Sequence, residues 1–119
     1  MRKVIAVVDD MFFASKIRAT AEAVGVEIKF VRSLDQLSTL AEAGKPDLIV
    51  ADLHSQKIDP TSLARTLNAS DSLRTIPLLG FFSHVETDLQ RAALDAGFDR
   101  VVPRSLFSRD LAGILQGQS

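Results

Sequence analysis

Three aspartates directly follow apolar runs long enough for buried strands. Asp9 directly follows residues 4–8, Asp10 is the next residue, and Asp52 directly follows residues 48–51. Carboxylates gathered at strand ends repel one another unless a hard cation lies between them, and Mg²⁺ suits such oxygen ligands. A helix N-cap would explain one acid of the adjacent pair but not the third acid. The acids therefore predict a divalent-cation site with one candidate nucleophile.

The pattern along the chain predicts the elements that position these acids. Short apolar runs alternate with helical patterns, which is typical of a parallel sheet with helical crossovers. The predicted strands cover residues 4–8, 27–31, 48–51, 78–82 and 100–103. The predicted buried helix faces are Phe13, Ile17, Ala21 and Val24; Leu34, Leu37 and Leu40; Leu63 and Leu67; Val85, Leu89, Ala92 and Ala96; and Phe107, Leu111 and Ile114. Gly25, Gly44 and Gly97 predict helix ends, and Asp59-Pro60 predicts a helix start. Ligands of such sheets lie beyond the carboxyl ends of the strands, where the three aspartates fall.

Length and composition restrict the class of protein. A chain of 119 residues is long enough for one core and too short for two ordinary domains, so we expect a single domain over residues 1–119. No apolar run approaches the ~20 residues of a membrane helix. The absence of cysteine excludes disulfides and thiolate metal sites, and a net charge of −1 gives no general attraction to nucleic acid or acidic lipid. We therefore expect a cytoplasmic protein, either alone or as part of a longer chain, that binds neither membrane nor nucleic acid directly.

The segments around the acids resemble the receiver domain of bacterial response regulators, the phosphorylated module of two-component phosphorelay signalling. Asp9-Asp10 resembles the acidic pair after the first strand, residues 46–52 (PDLIVAD) resemble the segment that ends in the phosphoacceptor, and residues 96–99 (AGFD) resemble the turn before the fifth strand. Asp52 lies 42 residues after Asp10, and this gap also agrees. The resemblance covers the full length of the chain, which is similar to the chemotaxis regulators of this family. It implies a flavodoxin-like three-layer α/β sandwich, with a five-stranded parallel sheet in the order 2-1-3-4-5 and five helices.

The resemblance also implies a role for each acid. Asp10 and Asp52 would ligate Mg²⁺ or Mn²⁺ directly, Asp9 would act through water, and the backbone carbonyl of His54 would complete the protein ligands. Asp52 would accept a phosphoryl group from a histidine kinase, a phosphotransfer protein or a small acyl phosphate. The implied protein needs no organic cofactor, passes its signal to a downstream protein, and is not an enzyme beyond its own phosphorylation and dephosphorylation.

Three positions depart from the family's pattern. Phe82 holds the position of a serine or threonine that donates a hydrogen bond to the phosphoryl group, and Ser83 would replace it only if the loop slipped by one residue. Arg104 holds the position of a lysine, and a planar guanidinium is not interchangeable with an ammonium. Val101 replaces the aromatic ring that turns inward on activation. These residues predict an atypical receiver or, alternatively, a pseudo-receiver that docks a partner protein independently of phosphorylation.

Two further features of the pocket leave alternatives open. If Phe12 and Phe82 covered the acids, desolvation would hinder the binding of both metal and phosphodonor. The two histidines, His54 and His84, lie two residues after Asp52 and Phe82, which places both at the pocket rim. They are solvated loop residues, ligands for Zn²⁺ or Mn²⁺ beside a carboxylate, or part of the path of an attacking water.

A set of charged residues on the last elements suggests a homodimer on the helix–strand–helix face that many receivers use. Its members are Asp88, Arg91, Asp99, Arg100, Arg109 and Asp110. Solvated surface charge is the simpler interpretation, because exposed ion pairs stabilise little.

Overall fold

A single parallel sheet organises the computed structural model, which describes residues 1–118. Its strands are β1 (Lys3–Val7), β2 (Glu27–Phe30), β3 (Leu48–Asp52), β4 (Leu78–Phe82) and β5 (Arg100–Pro103), in the order β2-β1-β3-β4-β5. The helices are α1 (Met11–Ala23), α2 (Leu34–Ala43), α3 (Pro60–Asn68), α4 (Thr87–Ala96), α5 (Arg104–Arg109) and α6 (Leu111–Leu115). The predicted flavodoxin-like class and strand order are confirmed. Ser119, the last residue of the predicted domain, lies outside the described residues, and within them no helix is long and apolar enough to cross a membrane.

Helices cover both faces of the sheet, so its central strands are buried on both sides. Every residue of β3 and β4 is buried, which explains why these strands are nearly continuous apolar runs rather than alternating ones. Side-chain alternation along β4 sends Phe81 to the face covered by α1, α5 and α6, and Phe82 to the face covered by α2, α3 and α4. Phe81 stacks on Phe107 with ring centroids 4.6 Å apart and meets the edge of Phe13.

The helices begin and end largely where the sequence predicts. Asp59 is the N-cap of α3, where its Oδ2 accepts a hydrogen bond from the Ser62 amide at 2.9 Å, and Pro60 follows as the first helical residue. Gly44 and Gly97 are the C-caps of α2 and α4. Gly97 has a φ of 131°, a conformation that side chains with a Cβ rarely adopt.

The predicted buried face of α4 is wrong at two positions. Val85 is 81% exposed because the helix begins only at Thr87, and Ala92 is also exposed. Ala93 is the fully buried residue of this helix, and the partly buried Leu89 and Ala96 flank it. The face therefore follows the spacing 89, 93 and 96, which satisfies the helical period as well as the predicted spacing does.

The prediction of five helices is also wrong, because the last helix is divided in two. Asp110 separates α5 from α6 with a ψ of 16°, and Arg109 donates to its carboxylate from Nε at 3.0 Å and from Nη2 at 3.2 Å. A short acidic side chain is a poor interior helix residue, and here it favours a local break. Phe107, Leu111 and Ile114 are nevertheless all buried, as predicted.

Candidate functional site

Neighbouring strand ends bring the three predicted aspartates to one edge of the sheet. β1 and β3 are paired in register, with Val7 opposite Ala51, so the residues that follow both strands emerge side by side. Asp52 is the last residue of β3 and lies opposite Phe81 of β4. The edge is therefore the place where a ligand is expected in a sheet of this strand order.

Asp52 is the one charged residue that is buried among residues 1–118, with 9% of its surface exposed. Its Oδ1 accepts a hydrogen bond from the His54 amide at 2.9 Å. Its Oδ2 accepts no hydrogen bond from the described residues and is not sealed in the interior. Burial raises the pKa of Asp52, although the His54 amide and the charge of Arg104 oppose this shift. One carboxylate oxygen of Asp52 is thus available to a ligand or an electrophile.

Asp9 fixes the loop that follows β3. Its Oδ1 accepts from the Ser55 hydroxyl at 2.8 Å, and its Oδ2 accepts from the Gln56 amide at 2.8 Å. Asp9 is therefore not a helix cap; it links the end of β1 to the loop that follows β3. Ser55 is not among the predicted site residues, because no spacing or periodicity in the chain distinguishes it from other loop serines.

Asp10 combines two contacts, a helix cap and an ion pair. Its Oδ1 accepts from the amides of Phe12 at 2.9 Å and Phe13 at 3.2 Å, which makes it the N-cap of α1. Its Oδ2 pairs with Nη2 of Arg104 at 3.2 Å. The Phe13 amide and the Arg104 guanidinium both lower the pKa of Asp10. The cap interpretation is thus correct for Asp10.

Arg104 is directed toward Asp10 rather than toward Asp52. Its guanidinium carbon lies 3.9 Å from the centroid of the Phe13 ring, in addition to the ion pair with Asp10. A cation over an aromatic face gains electrostatic attraction, so two contacts hold this side chain in place. The guanidinium of Arg104 is therefore engaged with an acid of the same site.

The donor types of the site suit Mg²⁺, and most of its carboxylate oxygens are engaged with protein donors. Among residues 1–118, no three His, Asp or Glu side chains lie close enough together to hold a metal ion as they stand. Both oxygens of Asp9 and both of Asp10 already accept protein hydrogen bonds, and only Asp52 keeps an unengaged oxygen. Carboxylate and carbonyl oxygens remain the ligands that Mg²⁺ prefers, and each oxygen has a second lone pair.

The residues that the sequence analysis predicts as altered switch positions can be located in the structure. Phe82 is 8% exposed and packs into the core on the face covered by α2, α3 and α4. The partly buried Val101 packs against the same cluster of core residues. β4 keeps its register with Phe82 opposite Pro103, so Ser83 falls in the next loop, where it is exposed. Ser83 therefore does not take the buried place that Phe82 occupies. Phe12 is 90% exposed, so the alternative in which it covers the acids is not the arrangement seen.

The two histidines lie against each other beside Asp52. The ring centroids of His54 and His84 are 5.6 Å apart and their planes are inclined by 72°. The Nε2 atom of His54 is buried and has no hydrogen-bond partner among residues 1–118. His84 is exposed in the loop after β4. The loops that follow β3 and β4 therefore bring the two imidazole rings together.

Comparison with known sequences gives one informative relative. No family model matches the chain. The chain is 30% identical, over 110 residues, to the cyclic di-GMP phosphodiesterase response regulator RpfG of Xanthomonas campestris pv. campestris (strain 8004). The match covers 90% of this chain but spans only 29% of that protein's length.

Comparison with solved structures identifies the class of fold. The receiver domain of the sensor histidine kinase PA1611 from Pseudomonas aeruginosa PAO1, which has a magnesium ion in its active-site cleft, superposes with a TM-score of 0.82 at 22% identity, covering 98% of this chain and 95% of that one. The chemotaxis response regulator CheY4 of Vibrio cholerae superposes with a TM-score of 0.83 at 16% identity, covering 98% of both chains. The chain therefore has the fold of the receiver domains of response regulators, as its sequence predicted.

Proposed function

We propose that this domain is a signalling receiver in which Asp52 accepts a phosphoryl group. The observation that supports this most directly is Asp52 itself: a buried carboxylate at the end of a central strand, with Oδ2 open and two further acids beside it. A buried charge is costly, so it persists mainly where function requires it. The receiver-domain fold supports the proposal, because its ligand site lies at the edge of the sheet that holds Asp52.

In the proposed reaction, Oδ2 of the ionised Asp52 attacks the phosphorus of the donor in line. The new bond joins Oδ2 to phosphorus, and the bond from phosphorus to the donor's imidazole nitrogen or acyl oxygen breaks, with its electron pair leaving on the donor. Mg²⁺ or Mn²⁺, when bound by Asp10, Asp52 and the His54 carbonyl, would neutralise charge on the phosphoryl oxygens. Asp9 orders the loop that presents the His54 carbonyl, through its bonds to Ser55 and Gln56.

Arg104 supplies the second positive charge in this proposal. It must leave Asp10 to reach a phosphoryl group on Asp52, because its guanidinium is paired with Asp10 Oδ2. A phosphoryl group offers more negative charge than a carboxylate, and a guanidinium binds it well. Arg104 is thus the residue through which phosphorylation would alter contacts in this chain, in place of the serine or threonine and the ring that Phe82 and Val101 have replaced.

The partners follow from this role. A histidine kinase or a phosphotransfer protein would donate the phosphoryl group in the cytoplasm, and a downstream protein would receive the signal, with no direct contact to nucleic acid or membrane. A homodimer through α4, β5 and α5 is part of the same proposal. The chemistry is limited to self-phosphorylation and dephosphorylation and requires no organic cofactor.

The first experiment measures the intact mass of the protein after incubation with Mg²⁺ and acetyl phosphate. We expect the parent to gain one phosphoryl group and Asp52→Asn to gain none, because the amide is not a nucleophile of this kind. An unchanged parent mass under conditions in which calorimetry shows Mg²⁺ binding would contradict the proposal. Equal gains in parent and variant would place the phosphoryl group on another residue.

A second candidate function is a docking module that binds its partner without phosphorylation. It is favoured by Phe82 and Val101, which pack in the core and leave no hydroxyl or ring to respond to a phosphoryl group. The two functions predict opposite results for Asp52→Ala. A phosphorylated receiver would lose its regulation of partner binding, whereas a docking module would bind its partner unchanged.

A further inference from the structure

We propose that His54, His84 and the carboxylate of Asp52 form a binding site for a borderline transition metal ion of the Zn²⁺ class. This site is chemically different from the Mg²⁺ site, because a hard cation prefers oxygen whereas imidazole nitrogen suits Zn²⁺, Cu²⁺ and Ni²⁺. Its position at the mouth of the Asp52 pocket makes the two sites mutually exclusive.

The unpaired nitrogen of His54 is the first support. Nε2 of His54 is buried without a hydrogen-bond partner among the described residues, and no other buried side-chain nitrogen or oxygen among them is left in this state. A buried polar atom without a partner is unfavourable, so native structures usually supply one. An imidazole that carries its proton on Nδ1 has a lone pair at Nε2, and a metal ion bound also by a second imidazole would accept it.

The spacing of the two rings is the second support. Two imidazoles bound to one tetrahedral Zn²⁺ through bonds of about 2.0–2.1 Å have ring centroids about 5 Å apart. The observed separation of the His54 and His84 centroids is 5.6 Å. His84 lies exposed in the loop between β4 and α4, so its ring can turn to admit an ion without disturbing the core.

Asp52 supplies the third ligand. Its Oδ1 accepts from the His54 amide, which ties the carboxylate to the histidine backbone, while Oδ2 accepts no hydrogen bond within residues 1–118. Two histidines and one carboxylate are a common ligand set for Zn²⁺ that leaves a position for water. The three side chains do not yet surround a common point, so a turn of His84 toward Asp52 has to accompany binding.

The composition of the chain makes this proposal unusually direct to test. The protein has two histidines and no cysteine, so no thiolate can bind the ion and any imidazole ligation must come from His54 or His84. The untagged chain is titrated with Zn²⁺ by calorimetry, without Mg²⁺ and without phosphodonor. Co²⁺ serves as a second probe, because its visible absorption reports the ligands and their geometry.

We expect the parent to bind one Zn²⁺ per chain, and His84→Gln and His54→Gln each to weaken this binding at least about tenfold, as loss of a ligand requires. Asp52→Asn weakens it as well. The matched control is Val85→Ala, next to His84 and 81% exposed, which leaves Zn²⁺ affinity unchanged. His84→Gln also leaves Mg²⁺ affinity unchanged, because His84 has no part in the oxygen site.

Equal Zn²⁺ affinity in the parent and in His84→Gln would overturn the proposal, since the acids alone would then bind the ion. Absence of one-to-one binding by the parent would overturn it too. His84 is exposed, so His84→Gln should fold normally, and circular dichroism of His54→Gln separates loss of a ligand from loss of the fold. No phosphodonor is present, so these results do not depend on whether Asp52 is phosphorylated. If the phosphoacceptor proposal holds, Zn²⁺ should additionally inhibit the mass gain from acetyl phosphate in the parent but not in His84→Gln.

Discussion

Arg104 is the residue that most clearly distinguishes this pocket from the pattern its sequence resembles. A lysine at this position would place a compact, strongly hydrated charge in the pocket, whereas the guanidinium both pairs with Asp10 and lies over the Phe13 ring at 3.9 Å. These two contacts favour the conformation in which Arg104 is paired with Asp10. Any cation that needs Asp10 as a ligand must therefore compete with a cation that belongs to the chain.

Replacing Arg104 should accordingly raise the affinity for Mg²⁺. We expect Arg104→Lys to bind Mg²⁺ about three- to tenfold more tightly, since the change weakens the exposed ion pair with Asp10 and the cation–π contact with Phe13, each of which stabilises only modestly. Arg104→Gln should bind more tightly still, because it also removes a positive charge. Calorimetric titration with MgCl₂ measures both affinities. Lys16→Gln, on the adjacent surface of α1, is a matched control for the loss of one charge, and it should have a smaller effect than Arg104→Gln. Unchanged affinity in both Arg104 variants would show that Asp10 does not limit metal binding.

At the scale of elements, the junction between α4 and β5 depends on a close contact with α3. Asn68 at the end of α3 donates from Nδ2 to the carbonyl oxygen of Ala96 at 2.9 Å. A Cβ placed on Gly97 would lie 1.7 Å from that Nδ2 atom, and the φ of 131° at Gly97 is unfavourable for alanine. Gly97 is thus required both by its backbone conformation and by the packing of Asn68 against it.

Gly97→Ala should therefore destabilise the domain by about 1–3 kcal/mol or more, through strain and clash together. Asn68→Ala alone should cost about 1 kcal/mol, since it removes one exposed hydrogen bond. Denaturant unfolding of the two single variants and of the double variant separates the contributions. The double variant should be more stable than the sum of the single effects predicts, because the clash disappears while the φ strain remains. Simple additivity would mean that Asn68 does not constrain Gly97.

The same scale shows how much of the fold was accessible from the sequence. The residues 78–82 and 100–103 were predicted with the boundaries that β4 and β5 have. β4 is buried on both faces and is therefore a continuous apolar run, whereas β5 is a partly exposed edge strand whose Val-Val pair lies between the Gly97 helix end and Pro103. The face of α4 was predicted wrongly, since Ala92 and Ala93 fit the helical period equally well and only the packing against α3 decides between them. The division at Asp110 depends on its backbone conformation and on its pairing with Arg109, which no periodicity reveals.

At the site, too, the sequence pattern located the acidic residues but did not reveal their side-chain contacts. The strand ends located Asp9, Asp10 and Asp52 at one edge, because parallel strands present their carboxyl ends together. The pairing of Arg104 with Asp10 joins residues 94 positions apart, and the bond from Ser55 to Asp9 joins residues 46 positions apart. Such contacts depend on the rotamers that long or polar side chains adopt in the folded chain, so spacing alone does not predict them.

For the whole molecule, Asp52 is a source of instability within an otherwise apolar central sheet. The surrounding strands bury apolar side chains on both faces, and a charge at this depth loses hydration that one amide hydrogen bond replaces only in part. Burial accordingly raises the pKa of Asp52. A residue that lowers the stability of the fold is expected at a functional site, and its effect on the free energy of unfolding can be measured for the entire domain.

Because the folded-state pKa of Asp52 lies above the unfolded value of 3.8, the folded protein binds this proton more tightly than the unfolded chain does. The contribution of Asp52 to stability is therefore most favourable below pH 3.8, declines as the pH rises through the folded-state pKa, and is constant above it. Asp52→Asn keeps the acceptor for the His54 amide and removes the charge. We expect it to be more stable than the parent at pH 7, with the difference shrinking as the pH falls toward 3.8.

Urea unfolding of the parent and of Asp52→Asn across this pH range tests the expectation, and comparing the two proteins cancels the titration of groups they share, such as Asp10 and Asp110. Mg²⁺ should then stabilise the parent more than the variant at pH 7, because a ligand that binds only the folded state stabilises it by mass action and Asp52 would be one of its ligands. A difference in stability that is independent of pH would mean that Asn and Asp differ in packing rather than in charge. In that case the buried carboxylate would not be the strained group on which the proposed phosphoacceptor depends.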